Sequence, residues 1–335
     1  MRPNAKRIWL CGWLGCLVLS SSAFGQTKLT VGYGAVSADQ LVLWVAKDAG
    51  IFAKNQIDAQ LVFFTGGTLS VTAMVSGDTP MIQASGPGVV SASLAGADAV
   101  YVAGGIVSLD YQLMTQPEIK TPAQLKGGQI AIARFGGAAD FVARFMLSKL
   151  GLNPLKDVTI VQVGTTPDRL TALEAKRVQA TVLVPPVTYM AQKKGFYLMA
   201  DAATHGLAYQ HQGAVTTRKF MREHPDLVRN FVKSYIEAVH RMKTDREGGI
   251  KILAKYLRTD EREILEKTLD NSITENKLPQ KQYPTLEGIK TILDQLALKD
   301  PKALVAKPQD FVDARFVEEF DKSGYTDDLY RRAKR

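Results

Sequence analysis

Residues 130–141, Ile-Ala-Ile-Ala-Arg-Phe-Gly-Gly-Ala-Ala-Asp-Phe, lead an apolar strand into a helix through Arg134, Phe135, Gly136 and Gly137. A junction of this kind suits an anion. The first amides of a helix have no partner inside it and carry partial positive charge, and glycine lets a ligand approach the backbone. Arg134 adds a forked cation. Its alternatives are solvent or a pair with Asp140. Residues 63–70, Phe-Phe-Thr-Gly-Gly-Thr-Leu-Ser, repeat the pattern, with Gly67 and Thr68 at the bend. Weaker versions stand at 84–88, with Ser85 and Gly86, and at 163–168, with Thr165 and Thr166. All lie at strand-to-helix junctions, the edge of an open α/β sheet that carries ligands.

Gly32-Tyr33-Gly34-Ala35-Val36-Ser37 also follows a strand. Ser37 stands where a dinucleotide fingerprint needs its third glycine, so that reading fails. Tyr33 and Ser37 remain ligand candidates because they lie at a strand end, and Pro185 completes the set. In this arrangement amides near 67, 86 and 137 hold oxygens, Arg134 neutralises charge, and Tyr33 and Phe135 pack on carbon. No nucleophile elbow or P-loop occurs. His205, His211, His224 and His240 form no metal-binding spacing. Nothing in the sequence assembles a nucleophile, base and oxyanion site, so the expectation is binding, with no catalytic residue, metal or cofactor.

The elements that carry these junctions begin after a leader. Arg2, Lys6 and Arg7 precede an apolar run from Ile8 to Leu19, and Ala23 and Gly25 suit cleavage before Gln26. This is a signal-peptide pattern over 1–25; a cut after Ala23 and a lipoprotein box at Cys16 are its alternatives. The two cysteines, Cys11 and Cys16, lie in the leader, so cleavage leaves a chain without thiols. Removing the leader's cations lowers the formal charge from +9 to about +6, spread among acids as a solvated surface, not a nucleic-acid footprint.

From Leu29, strands alternate with helices: strands at 29–33, 58–64, 81–84 and 99–107, with helices at 39–49, 69–75 and 89–94. The pattern restarts with Thr121 and Pro122 opening a short helix. Strands at 129–133, 158–163, 179–184 and 196–200 alternate with helices at 138–150, 168–175 and 187–194. Such alternation implies parallel pairing in two α/β units. From Pro225 an apolar stripe at helical spacing (Leu227, Val228, Phe231, Val232, Tyr235, Ile236, Val239, Met242) marks a long helix, with further helices near 250–257, 260–269 and 286–296.

Residues 43–64, Leu-Trp-Val-Ala-Lys-Asp-Ala-Gly-Ile-Phe-Ala-Lys-Asn-Gln-Ile-Asp-Ala-Gln-Leu-Val-Phe-Phe, resemble a signature of periplasmic solute-binding proteins of the nitrate/sulfonate/taurine group, which includes binders of the thiamine pyrimidine precursor. Residues 125–154 are similar to the opening of that group's second lobe, and 223–240 to its long C-terminal helix. The resemblance spans about 28–300. Gln56 departs from it, standing where members often carry glycine, and the cysteine-rich motif of the eukaryotic pyrimidine-forming enzymes is absent. The resemblance implies a type 2 periplasmic-binding-protein fold: two α/β lobes around a central cleft, with a helical C-terminal region. It implies lobe 1 from 26–110 and 208–335, lobe 2 from 111–207, and crossing segments near 107–115 and 205–215. It further implies a monomeric, periplasmic solute-binding subunit that closes on a small anionic or polar molecule and presents it to an ABC permease and its ATPase. An exported enzyme on the same fold and a sensor subunit without transport are the alternatives.

Overall fold

The computed structural model describes residues 25–333. The leader up to residue 24, with Cys11 and Cys16, lies outside the described residues. The chain opens with β1 (Thr27–Tyr33), α1 (Leu41–Asp48), α2 (Ile51–Lys54), β2 (Ile57–Phe63), α3 (Gly67–Ser76), β3 (Met81–Ala84), α4 (Gly86–Leu94) and β4 (Ala99–Ala103). The second unit runs β5 (Gln112–Thr115), β6 (Gln129–Ile132), α5 (Ala138–Lys149), β7 (Thr159–Gln162), α6 (Thr166–Glu174), β8 (Ala180–Leu183), α7 (Val187–Lys193) and β9 (Tyr197–Asp201). The chain then returns through β10 (Gly213–Thr217) to α8 (Arg218–Glu223), α9 (Pro225–Thr244), α10 (Arg246–Leu257), α11 (Arg262–Ser272) and α12 (Leu286–Leu296). Three short helices finish it: α13 (Lys302–Val305), α14 (Arg315–Lys322) and α15 (Tyr325–Ala333).

Two five-stranded sheets result, ordered β2-β1-β3-β10-β4 and β7-β6-β8-β5-β9. Strands joined by helical crossovers are parallel, as the alternation implies: β1 pairs with β2 and β3, and β6 with β7 and β8. The expectation of parallel pairing fails for β5 and β10, which run antiparallel to both neighbours. Each is the first strand entered after the chain passes between the sheets, so it approaches without a helical crossover. Both lie in segments read from sequence as crossings. The crossing chains themselves touch: Ser108 bridges Ala208, and His211 N donates to Ile106 O at 2.9 Å.

The strand expected over 99–107 stops at Ala103 for a steric reason. A Cβ on Gly104 would stand 2.3 Å from Tyr283 O, and one on Gly105 2.6 Å from Gln212 O. Bare backbone there admits the C-terminal loop and the returning chain.

The stripe of α9 buries Val228, Phe231, Val232, Tyr235, Ile236, Val239 and Met242 against the first lobe. Phe231 stacks on Phe52 with ring centroids 5.4 Å apart. Helix α9 therefore packs on the first sheet and on α1 and α2.

Gln56 occupies a left-handed conformation, φ 64°, immediately before β2, and its carbonyl accepts from Thr27 N at 2.9 Å. A non-glycine residue there carries a strain of about 1–2 kcal/mol, against which glycine loses about 0.5–1 kcal/mol of chain entropy. Gln56→Gly is expected to stabilise the fold by about 0.5–1 kcal/mol in urea denaturation; a loss of stability would show that the side chain holds the turn.

Candidate functional site

The two sheets direct their strand-to-helix junctions at one cavity of about 50 Å³. Lobe 1 contributes Gly34, Gly66 and Gly67, where β1 ends and α3 begins, with Gln40, Gln83, Ser85 and Gln212. Lobe 2 contributes Tyr111, Arg134, Gly137, Ala138 and Ala139 at the start of α5, and Thr165, Thr166 and Arg169 at the start of α6.

Close approach is built into the first junction. A Cβ on Gly34 would fall 2.7 Å from Gly67 N, so only glycine lets the end of β1 touch the start of α3. Neither α3 nor α5 has a side-chain cap, which leaves their first amides to the cavity. Helix α6 differs: Thr165 and Asp168 form a capping box, with Thr165 N donating to Asp168 Oδ2 at 2.9 Å.

Arg169 is the strongest feature of the site. It is 2% exposed. Nε and Nη2 donate to Val182 O at 3.1 and 3.0 Å, Nη1 to Gly164 O at 2.8 Å, and Nη2 to Thr166 Oγ1 at 3.3 Å. Every acceptor is neutral, and among the described residues no carboxylate lies within ion-pair distance of it. Burial pulls its pKa down to about 10, against the raising influence of Tyr111 and Asp168. It therefore keeps its charge at neutral pH. Burial likewise raises the Tyr111 hydroxyl far above the tyrosine range, so it faces the cavity as a neutral phenol.

Arg134 also lines the cavity, but its Nε crosses the cleft and donates to Thr65 O in lobe 1 at 2.7 Å. Thr68 Oγ1 donates back to Phe135 O at 3.4 Å. These bonds join the lobes in a closed arrangement. Asp140, the alternative partner, instead pairs with Arg144 at 2.6 Å and accepts from Gly136 N at 3.0 Å.

The cavity brings together Gly67, Ser85, Arg134, Gly137, Thr165 and Thr166 among the sequence candidates. The others lie elsewhere. Tyr33 packs between Trp44 and Phe63 on the far side of β1. Ser37 is fully buried and donates to Asp39 Oδ2 at 3.2 Å. Phe135 points outward, 48% exposed, and Gly136 shares that outer face. Thr68 is spent on the interlobe bond. Pro185 forms a cis bond with Pro186 and is buried away from the cavity. Gly86 packs against α12: its amide donates to Gln210 O at 3.0 Å, which removes it as an oxygen holder. The amide of Gly137 is likewise turned to Arg134 O at 3.3 Å.

Sequence reasoning missed Arg169 and the glutamines. A signal for Arg169 existed. It shares a buried helical face with Thr166, Ala172 and Leu173, so an arginine stands in an apolar stripe. Gln83 stands likewise in Met-Ile-Gln-Ala, a strand buried at every position.

Behind the cavity lies a charged cluster at the crossing segments. His211 Nε2 is 3.1 Å from Asp39 Oδ2, off the line of the ring N–H, so neither ring nitrogen has a well-directed hydrogen bond. Lys277 pairs with Asp110, which also accepts from Asn271 Nδ2 at 2.9 Å. Burial pushes the Asp39 carboxyl up, but His211, then Lys277 and the Ser37 hydroxyl, outweigh it and leave it below the usual range. Burial dominates at Asp110 and leaves it raised, despite Lys277.

A family model described as "NMT1/THI5 like" matches residues 37–247. Several solved structures share the fold. One from Bordetella bronchiseptica RB50 is 20% identical, covers 88% of this chain and 97% of its own, and superposes with a TM-score of 0.77. The alkanesulfonate-binding protein of Xanthomonas axonopodis pv. citri, bound to MOPS, is 22% identical, with coverages of 85% and 96% and a TM-score of 0.71. The periplasmic nitrate-binding protein of Synechocystis PCC 6803 is 13% identical, with coverages of 89% and 89% and a TM-score of 0.70.

A Cβ on Gly86 would stand 2.1 Å from Ile292 Cδ1 and 2.8 Å from Gln210 O. Gly86→Ala is expected to cost about 1–3 kcal/mol of stability through overpacking. Adding Ile292→Val should recover part of that loss in the same denaturation assay. Unchanged stability in Gly86→Ala would show that α12 shifts freely.

Proposed function

This chain belongs to the NMT1/THI5-like family, and from that premise we propose that it is the extracytoplasmic solute-binding subunit of an ABC importer, capturing a small anionic organic molecule by lobe closure. One observation carries the reading: Arg169 is a buried, charged guanidinium at the cavity with no anionic partner. A buried charge without a counter-charge is costly, and a bound anion removes that cost.

The wall supports capture over turnover. Its charged lining residues are Arg134 and Arg169; no carboxylate, histidine or cysteine is among them. The open amides of α3 and α5 add partial positive charge. Closure completes the site, because lobe 1 and lobe 2 each supply part of the lining and Arg134 spans them. Ligand shifts the open–closed balance by its preference for the closed form. The signal-peptide pattern of the leader supports a location outside the cytoplasm, where a monomer would deliver ligand to a permease coupled to an ATPase. The alkanesulfonate-binding and nitrate-binding neighbours make sulfonates, nitrate and carboxylates the first ligands to test.

Anions at one hundred times their dissociation constant should add about 2.7 kcal/mol of stability, a shift of several degrees in melting temperature. A screen in which only cations or neutral solutes shift the transition overturns the reading.

Arg169→Gln should weaken the best anion at least thirtyfold, about 2 kcal/mol, measured by calorimetry on protein whose circular dichroism is unchanged. Arg134→Ala should weaken it severalfold and lower the closed fraction seen by interlobe fluorescence transfer. Equal affinity in Arg169→Gln would remove that residue from the site.

A further inference from the structure

The lobe 1 wall of the cavity is made of side-chain amides. Gln40 and Gln83 are 1% exposed and Gln212 is 6% exposed, and all three line the cavity. Gln83 is committed: Nε2 donates to Asp39 O at 2.6 Å and to Gln40 Oε1 at 3.1 Å, while Oε1 accepts from the Tyr235 hydroxyl at 3.1 Å. That fixes the orientation of Gln40, whose acceptor is taken and whose amide nitrogen is left as a donor beside the cavity. Gln212 Oε1 is buried with no hydrogen-bond partner. Ser85 Oγ, on the same wall, also lacks one; it lies near the Tyr209 hydroxyl without the geometry of a bond.

The two halves of the cavity thus ask for different chemistry. Lobe 2 presents guanidinium groups. Lobe 1 presents uncharged donors and acceptors, some unmet. A buried polar atom that stays unpaired is costly, so a ligand that meets it is favoured over one that covers it with carbon. An ammonium group would lose its water here with no carboxylate in the wall and two guanidinium groups across the cavity. The acidic groups close behind are engaged: Asp39 accepts from Ser37 and lies 3.1 Å from His211 Nε2, Asp110 pairs with Lys277, and Asp168 accepts from Thr165 N.

We propose that the cleft selects a small oxyanion whose other end carries an uncharged hydrogen-bonding group, a hydroxyl or carboxamide, over both ammonium-bearing zwitterions and anions with a purely alkyl end. The proposal rests on the anion-capture reading and narrows it. The lining puts the anion against Arg169 and the hydroxyl or amide against Gln212 and Gln40.

The test uses matched ligands on the unmodified mature chain, stripped of bound solute by unfolding and refolding. Calorimetry compares isethionate, taurine and propane-1-sulfonate, then 3-hydroxypropionate, β-alanine and butyrate. Within the series that binds, the hydroxyl member should bind at least tenfold more tightly than the alkyl member and at least a hundredfold more tightly than the ammonium member. Gln212→Leu should bring the hydroxyl and alkyl affinities within threefold of each other. Taurine or β-alanine binding as tightly as its hydroxyl counterpart overturns the proposal, and so does an alkyl member that matches it. If Gln212→Leu does not fold, the rank order in the unmodified chain decides alone. Anion binding without this rank order, or binding only by other anions in the melting screen, sinks only the narrowing; no anion binding in either assay sinks the anion-capture reading beneath it.

Discussion

Arg169 carries a full charge inside the protein, held by the carbonyls of Gly164 and Val182 and the hydroxyl of Thr166. Taking a guanidinium out of water costs several kcal/mol even after relaxation, and neutral acceptors offset only part of that. The fold absorbs the remainder elsewhere, in the packed core of lobe 2. The benefit is a cation already desolvated and already oriented. An arriving anion need not order a flexible side chain, and its field is not screened by bulk water. A surface arginine would give up most of that advantage to solvent and to its own mobility.

A preset charge in one lobe is useful only if the other lobe can find it. Hydrogen bonds across the cleft run from Arg134 to Thr65 and from Thr68 to Phe135, Lys193 of α7 pairs with Glu261 before α11, and one apolar cluster spans both lobes. The first two involve the glycine-bearing bends, so segments that line the cavity also join the lobes. The crossing chains are linked to each other by the Ser108–Ala208 bridge, and Lys277, from the loop after α11, is tied to Asp110 on the first crossing. Asp39, His211, Asp110 and Lys277 form a buried set in which Lys277 lowers the pKa of both carboxyls.

Most of the fold was legible because periodicity reports packing. Strands at the centre of a covered sheet read as apolar runs, as with Met81–Ala84, and α9 read as a stripe because one face meets lobe 1. The antiparallel β5 and β10 were not legible as strands. They are short, they follow crossings and not helices, and nothing in Gln112–Thr115 or Gly213–Thr217 records its direction. The site was half legible for a similar reason. Glycine-bearing junctions announce a bend, and Gly67, Gly137, Thr165 and Thr166 do meet at one cavity. Whether a given glycine frees an amide or admits a neighbour depends on distant chain: Gly86 is small because Ile292 and Gln210 press on it. The residues that were overlooked are polar groups in apolar positions, Arg169 on the buried face of α6 and Gln83 within β3. Periodicity alone files them as noise, whereas the physical cost of burying them marks them as the places to look.

The same cost explains the division of labour between the lobes. A charge is best placed where the backbone can supply several carbonyls at once, and the start of α6 does this because the Thr165–Asp168 capping box satisfies the helix terminus and leaves Gly164 O free for the guanidinium. Lobe 1 has no such arrangement; its open end at α3 is bare backbone, and its polar side chains are amides braced by Tyr235 and by each other. Amides can be buried at far lower cost than charges, and they accept either a donor or an acceptor. A cleft with one charged and one neutral wall can therefore stay closed and stable around a single small guest, where two charged walls of the same sign would drive the lobes apart.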